Sequence, residues 1–347
     1  MILESISLHN FRNFVDNKFK FAPSLTIIMG KNSVGKTNLL EGIFFVCNGK
    51  GLREEKQEEL MNIEVASMHV EAEFSDKSSV TTFKIVLKQT ENLEKIFFVD
   101  RSKKMLQSYL KYTPPIAIFS PELIAIIDGQ PSLRRGFIDD IISKCDLEYK
   151  KRLQNYKNGL RRRNKVIEKE NDPEKLRKEI LFWNNYLIEQ AEYICEKREW
   201  FVNFVNKSEK LDTHVFSLNY EKNEISLNRF EEYFMREYYQ KRTLIGPQRD
   251  DFKIFKQQDE KKIDVHKFSS RGEQRLALLW LIINQIQLYE QELEHKPLVL
   301  LDDIFSELDE SNKKIVLDLI KKHQTIISTT EEEFIKHLSK DTHIIRI

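Results

Sequence analysis

The chain has 347 residues, of which 40% are hydrophobic and 32% are charged, and this length accommodates about two or three domains or one large domain with an insertion. Its 23 Phe and 11 Tyr exclude a disordered chain, because they can bury a large apolar area, and only 10 Gly and 8 Pro exclude collagen. The formal net charge of +1 predicts no partner, so any binding to polyanions must come from local patches.

Several features of the sequence predict a cytoplasmic protein. It contains no run of about 18 apolar residues, so no membrane span is expected. The first residues lack the basic-then-apolar layout of a signal peptide. Cys47, Cys145 and Cys195 lie far apart, with neither metal-ligand spacing nor an even set for disulfides, which suits a reducing compartment.

The first hundred residues are predicted to form mostly strands. Met68, Val70, Ala72 and Phe74 alternate with polar residues, the period of a half-buried strand, and a turn at Ser75–Ser79 leads to the next strand. A meander of antiparallel strands is the simplest interpretation, with an independent small β domain as the alternative. The other predicted strands are Ile2–Leu8, Ser24–Met29, the strand with Phe83, Ile85 and Leu87 on one face, and Lys95–Asp100.

Helical spacing replaces the strand patterns from about Pro131 to Lys241. An apolar stripe with 4-3-4 spacing predicts one long helix; it consists of Tyr149, Leu153, Tyr156 and Leu160. A break follows at Asn171–Pro173, where Asp can cap a helix and Pro fits its first turn. A second long helix is predicted to run to about Val205, which makes a helical hairpin lobe.

Short apolar strands return after Gly246-Pro247 and alternate with helical segments. They are Leu298–Leu301, Thr325–Ser328 and Ile344–Ile347. This alternation indicates a largely parallel sheet. The sequence therefore predicts one α/β domain, split into residues 1–130 and 242–347, with a helical insertion over residues 131–241.

The segment Gly30–Thr37 fits the pattern G-x-x-x-x-G-K-[ST] without deviation. It follows an apolar strand and opens an amphipathic helix, the setting in which glycines let backbone N–H groups converge on a phosphate at a helix N-terminus. Lys36 would reach the β- and γ-phosphates of a nucleotide, and the Thr37 hydroxyl would coordinate Mg²⁺. A chance glycine turn between a strand and a helix is the alternative.

Two further segments carry candidate site residues. Asp302 stands at the carboxyl end of a buried strand, where it can hold Mg²⁺, and Asp303 follows as a candidate to polarise the attacking water; acids in an ordinary turn are the alternative. Ser270 and Gly272 open a later helix, which predicts a second anion-binding helix N-terminus. An ordinary serine helix cap explains that segment equally well.

Taken in order, these motifs resemble the ATPase heads of the ABC type, in the SMC-like branch, and within that branch the RecF family of bacterial recombination-mediator ATPases. The resemblance implies an ABC/SMC-type head: N-terminal antiparallel strands, a largely parallel phosphate-loop sheet and an inserted helical lobe. Gln248 stands where the family usually has His, and Arg271 and Glu273 stand where Gln is common. The segments that carry the resemblance are Leu8–Phe14, Gly30–Thr37, Phe119–Glu122, Arg134-Arg135, Gly246–Asp251, Ser270–Arg275 and Leu300–Asp309.

The resemblance further implies ATP and Mg²⁺ as cofactors and ATP-dependent homodimerisation on DNA at gaps or single-strand/double-strand junctions. It implies recombinase loading with RecR and RecO partners. Ser270, Gly272 and Glu273 would contact the γ-phosphate bound by the other subunit, and Asp309 would lie at the dimer interface. Ser120 and Glu122 would occupy the Mg²⁺-sensing segment, and Thr329 or Thr330 is a candidate switch residue. The predicted ATP contacts within one chain are Arg12, Asn13, Gly30, Asn32, Ser33, Gly35, Lys36, Thr37 and Asn38.

Residues 150–165 contain eight basic residues and no acid. Lys150, Lys157, Arg161 and Lys165 share one helical face at 7-4-4 spacing, which could follow DNA phosphates without reading sequence. A solvated face of a lysine-rich protein is the alternative. The candidate DNA contacts are Lys157, Arg161, Arg162, Arg163 and Lys165.

The sequence therefore favours a DNA-binding ATPase of recombinational repair and replication-gap processing. A structural, chromosome-associated ATPase of the SMC type is one alternative. A P-loop phosphotransferase is another, although it does not explain Ser270–Arg275 or the Ser306–Asp309 motif.

Overall fold

The computed structural model describes residues 1–52, 57–62, 65–77, 79–208, 211, 214–307, 310–330 and 342–347. These residues form two compact units, Met1–Leu123 with Gln285–Ile347, and Ile124–Asn284. Asp309 lies outside the described residues. No helix in the described ranges is both long and apolar enough to cross a membrane.

The described strands and α-helices have the following bounds. The strands are β1 (Ile2–Phe11), β2 (Phe14–Lys20), β3 (Leu25–Met29), β4 (Ser67–Asp76), β5 (Ser79–Gln89), β6 (Leu93–Val99), β7 (Ser102–Lys104), β8 (Ile116–Phe119), β9 (Val215–Glu221), β10 (Asp251–Gln258), β11 (Lys261–Asp264), β12 (Leu298–Asp302), β13 (Thr325–Thr329) and β14 (His343–Arg346). The helices are α1 (Lys36–Asn48), α2 (Leu106–Tyr112), α3 (Ala125–Asp128), α4 (Pro131–Cys145), α5 (Leu147–Lys169), α6 (Pro173–Val205), α7 (Leu227–Gln240), α8 (Val265–Phe268), α9 (Arg271–Glu292), α10 (Ile304–Glu307) and α11 (Glu310–Lys322).

The first unit holds two sheets. The antiparallel one has the order β2-β1-β4-β5-β6-β7, and the parallel one has the order β14-β3-β13-β12-β8. The inward residues of β4 and β5, such as Val70 and Ile85, share one apolar core with α1 and with Ile28 and Leu300 of the parallel sheet. The predicted meander and parallel sheet are thus confirmed, and the antiparallel strands do not form an independent β domain.

The parallel register positions the candidate site. Asp302 of β12 pairs with Ser328 of β13, and Met29 of β3 pairs with Thr329. Because parallel strands end at the same edge of a sheet, Gly30, Asp302 and Ser328 lie together where ligands of open α/β sheets bind.

The second unit contains the predicted helical hairpin. Tyr149, Leu153 and Tyr156 on α5 are buried. Asp172 accepts hydrogen bonds from the N–H groups of Glu174 and Lys175 and so caps α6, as expected.

The end of the insertion differs from the prediction. The second unit continues past Lys241 to Asn284, because β9 pairs with β10 and β10 with β11 in an antiparallel sheet. The prediction of helix alone over residues 131–241 was wrong for β9, whose Phe216 and Leu218 alternate inward. Strand pairing therefore joins sequence on both sides of the predicted boundary.

Candidate nucleotide-binding site

The phosphate loop connects β3 to α1 in the predicted strand–loop–helix arrangement. A Cβ atom on Gly30 would lie 2.6 Å from the carbonyl oxygen of Ile347, so the chain itself requires glycine there. Gly35 has φ +115°, and a Cβ atom there would also clash with the Asn13 side chain. Asn32 and Ser33 are exposed at the tip of the loop. Internal packing thus fixes the backbone path of the loop, with the N-terminus of α1 at its end.

The turn between β1 and β2 braces this loop. Asn13 Nδ2 donates to the Val34 carbonyl oxygen at 2.9 Å, and Asn38 Nδ2 donates to Asn13 Oδ1 at 2.8 Å. One side chain therefore links the loop to the first turn of α1. Asn13 and Asn38, both expected near the nucleotide, lie at the loop itself.

Arg12 is engaged with a carboxylate that the sequence interpretation missed. Its guanidinium donates to both oxygens of Glu41 at 2.9 Å and to the Glu59 carbonyl oxygen at 2.7 Å. The Glu41 side chain is 0% exposed, so its charge requires this bidentate partner. A glutamate on the otherwise apolar face of α1 is the signal that could have revealed the pair.

The Lys36 side chain folds back onto the phosphate loop. Its Nζ donates to the carbonyl oxygens of Gly30 at 2.7 Å and Lys31 at 2.9 Å. Burial lowers the pKa of Lys36, and the nearby Asp303 and Asp302 oppose that shift. The two carbonyl contacts hold the Lys36 Nζ at the loop, where a phosphate-binding site needs a basic group.

Thr37 and Asp302 come together across 265 positions of sequence. Thr37 Oγ1 lies 2.8 Å from Oδ2 and 3.1 Å from Oδ1 of Asp302, to which it donates. Burial raises the pKa of Asp302, whereas hydrogen bonds from Ser328 and Thr37 lower it. A hydroxyl and a carboxylate side by side fit Mg²⁺, which is usually bound by one or two carboxylates, waters and substrate phosphates. The described residues contain no group of three or more His, Cys, Asp or Glu that could hold a metal without such extra ligands.

Ser328 lies beside Asp302 and Asp303 and hydrogen-bonds to both, and it was not identified from the sequence. Its hydroxyl donates to Asp302, and the Asp303 N–H lies 3.1 Å from the Ser328 carbonyl oxygen and 3.2 Å from its Oγ. Asp303 has a positive φ of 50°. The available signal was the polar end of an otherwise apolar strand.

The structure also places the candidates for the switch and for the Mg²⁺-sensing segment. Thr329 is buried and Thr330 is exposed, and Ser120 donates a hydrogen bond to Glu122.

In the second unit, Ser270 precedes α9 and closes its N-terminus. Ser270 Oγ accepts from the Glu273 N–H at 3.3 Å, and the Glu273 carboxylate accepts from the Ser270 N–H at 3.0 Å, a capping box. A hydrogen bond from Lys256 is the main cause of the lowered pKa of Glu273. By contrast, a Cβ on Gly272 would meet no heavy atom of the described chain within 4 Å.

The basic run lies on α5, and one predicted contact is wrong. Lys157, Arg161, Arg162 and Lys165 are exposed. Arg163 is 0% exposed, and its guanidinium donates to Asn184, Thr243 and Glu237, each at 2.7 Å. Arg163 extends the buried stripe of α5, so it cannot contact DNA phosphates.

The fold and the site define an ATPase head of the ABC type. A solved structure described as the recombination mediator protein RecF-ATPrS in the RecFOR pathway has a TM-score of 0.83 and 27% identity, covering 99% of this chain and 95% of that one. An Smc head domain from Pyrococcus furiosus, at 19% identity and a TM-score of 0.56, shares the fold.

Sequence comparison narrows this class. Residues 2–346 match the RecF/RecN/SMC N terminal domain. A protein of Natranaerobius thermophilus named DNA replication and repair protein RecF is 31% identical, covering 96% of this chain and 92% of that protein. A Streptococcus agalactiae protein of the same name is 28% identical and covers 100% of this chain. The chain belongs to the RecF/RecN/SMC family of ATPases, in its RecF branch.

Proposed function

We propose that this chain is a sequence-nonspecific DNA-binding ATPase of recombinational repair, in which ATP drives dimerisation on DNA and hydrolysis releases it. The observation that carries the proposal is the contact between Thr37 and Asp302 beside the braced phosphate loop. A solved RecF structure described with ATP supports the choice of nucleotide. Hydrolysis is slow and is stimulated by DNA in this proposal.

Each residue of the loop then has a role. Backbone N–H groups from Gly30 to Asn38 bind the phosphates, Lys36 neutralises the β- and γ-phosphates, and Thr37 and Asp302 hold Mg²⁺. Bound Mg²⁺ supplies charge stabilisation at the γ-phosphate. Asp303 orients the attacking water.

The second half of the site comes from the other subunit of a symmetric dimer. Ser270 and Gly272 offer the N-terminus of α9 to the γ-phosphate in trans, with Glu273 beside them. Nothing in the described chain requires glycine at residue 272, which leaves room for close approach by a nucleotide. Such a site is complete only when two chains meet.

A pair of variants tests this arrangement by light scattering with and without ATP–Mg²⁺. Ser270→Arg is expected to bind ATP without dimerising, and Lys36→Ala is expected neither to bind ATP tightly nor to dimerise. In their mixture, one site pairs the intact loop of the first variant with the intact signature of the second, so ATP-dependent heterodimers are expected, weaker than wild type. A Ser270→Arg protein that stays monomeric yet hydrolyses ATP at the wild-type rate contradicts action in trans.

DNA contacts are proposed on α5 at Lys157, Arg161, Arg162 and Lys165, with gaps or junctions as targets. The description of a similar structure as part of the RecFOR pathway supports RecR- and RecO-type partners and a role in recombinase loading. Changing Arg161, Arg162 and Lys165 to Ala is expected to flatten the plot of log K against log salt by about 2.7, at ~0.9 per phosphate contact. An unchanged slope and affinity would show that this face is solvated surface that does not bind DNA.

Product analysis with labelled ATP separates the proposal from a phosphotransferase. Release of ADP and free phosphate supports the ATPase. Transfer of the label to another molecule contradicts it.

A further inference from the structure

Three aromatic rings form a cluster on α6, close to the basic helix α5. Phe182 and Trp183 have ring centroids 5.0 Å apart, and Tyr186 lies 6.0 Å from Trp183 and 6.3 Å from Phe182. A Cβ on Gly159 would lie 2.9 Å from the Tyr186 ring, so that ring rests on bare α5 backbone. The cluster is therefore backed by a second helix rather than loose in solvent.

Phe182 is the outer member of the cluster and is 65% exposed. A single exposed apolar side chain needs no explanation. Phe182 differs because its ring contacts two others, edge to face with Trp183 and stacked with Tyr186. The inward positions of α6, such as Leu187 and Ile194, are filled by buried aliphatic residues. The chain thus presents a supported aromatic face to solvent.

Basic side chains of α5 lie beside this aromatic face. The Arg162 guanidinium lies over the Trp183 ring, 5.7 Å from its centroid. Arg161 and Lys165 are exposed on the same helix, and within the described ranges no carboxylate pairs with either of them. By contrast, Arg152 is paired with Glu148 and Glu189. The charge beside the rings is therefore available to a polyanion.

We propose that Phe182, Trp183 and Tyr186 form a stacking platform for unpaired bases of single-stranded DNA, whose phosphates follow Arg161, Arg162 and Lys165. This inference rests on the DNA binding proposed above. Aromatic rings combined with basic side chains bind single strands without sequence preference, because every base has a π-face. In a duplex those faces are covered by neighbouring bases, so the platform distinguishes the single-stranded arm of a junction from its duplex arm.

Anisotropy titrations of the full chain with three DNAs test the platform. They are a blunt duplex, the same duplex with a thymine tail of about ten nucleotides, and that duplex with an abasic tail of equal length. The two tailed DNAs carry the same charge, so their affinity ratio isolates the bases. Wild type is expected to favour the thymine tail about tenfold.

Phe182→Ala is expected to abolish that ratio while leaving the affinity for the blunt duplex unchanged. Phe182→Trp should keep the ratio, since indole also stacks. Leu181→Ala is the matched control, because Leu181 is 52% exposed on the same helix but belongs to none of the ring contacts.

The outcomes separate two failures. The platform does not bind bases if wild type binds the blunt duplex but shows no preference between the two tails. The same conclusion follows if Phe182→Ala keeps the preference. In either case the aromatic cluster would be a contact surface for a protein partner instead. If wild type binds none of the DNAs, the proposed DNA-binding function fails and this inference falls with it.

Discussion

The N-termini of α1 and α9 are both predicted phosphate-binding sites, but their local structures differ. The N-cap residue of α1 is Gly35, which has no side chain that could cap the helix. At the start of α9, the Ser270 and Glu273 side chains already accept hydrogen bonds from each other's backbone N–H groups. An open terminus, a helix N-terminus whose N–H groups have no side-chain cap, can donate hydrogen bonds to a phosphate directly. At a capped N-terminus the phosphate must first replace the capping side chain as the acceptor.

The glycines repeat this contrast. Gly30 and Gly35 are required by the chain's own packing, since a Cβ at either would clash at 2.6 Å, whereas Gly272 has open space around it. The first site is therefore shaped within one chain. At Gly272 the packing of the described chain does not require glycine, which is compatible with the proposed approach of a nucleotide bound by another subunit.

Lys36→Ala tests the open terminus and has the largest expected effect. Losing one partner of a close charge pair costs about 2–5 kcal/mol, so ATP affinity should fall by about two orders of magnitude. Isothermal titration with ATP–Mg²⁺ measures this. Lys31→Ala is the control, because Lys31 is exposed and contributes only its carbonyl oxygen to Lys36. Equal losses in both variants would contradict a specific role for Lys36.

Asp303→Asn separates binding from hydrolysis at the same terminus. Asparagine tolerates the positive φ of residue 303, so the backbone should be preserved. ATP affinity should stay near wild type, while turnover falls by about 10²–10³, the usual effect of removing one positioned polar group. Steady-state phosphate release checks this prediction. A rate within tenfold of wild type would assign water activation to another residue.

Ser270→Ala probes the capped terminus and has a smaller expected effect. Loss of a serine N-cap lowers the free energy of unfolding by about 1 kcal/mol. Urea denaturation in the absence of ATP measures it. Thr37→Ser is the matched change at α1 and should leave the free energy of unfolding nearly unaltered, because the hydroxyl that donates to Asp302 is retained. A Ser270→Ala variant as stable as wild type would show that the cap is dispensable.

Glu273→Gln has the smallest expected effect and depends on pH. The pKa of Glu273 is lowered in the folded protein, first by the hydrogen bond from Lys256. Its stabilisation is therefore present above the ordinary pKa of glutamate and is lost as the pH falls through the lowered value. For a partly exposed pair the difference from wild type should stay below about 1 kcal/mol at pH 7 and vanish in acid. An equal difference at both pH values would exclude the ion pair as its cause.

Much of the fold could be predicted from local patterns. The phosphate loop is a contiguous motif, so its place between β3 and α1 followed directly, and the cap and proline at the start of α6 marked the helical hairpin. β9 was missed because its pairing with β10, which moves the boundary of the second unit, joins segments separated by a helix.

The sequence by itself determined the residues whose chemistry depends on their neighbours along the chain, such as Lys36 and Thr37. Only the tertiary structure decided the partners that come from distant segments: Glu41 for Arg12, and Ser328 for Asp302. It also decided that Arg163 is buried beside Glu237 while Arg162 faces solvent. Burial and ion pairing depend on which elements pack together in space, and a run of like charges along one helix carries no record of that packing.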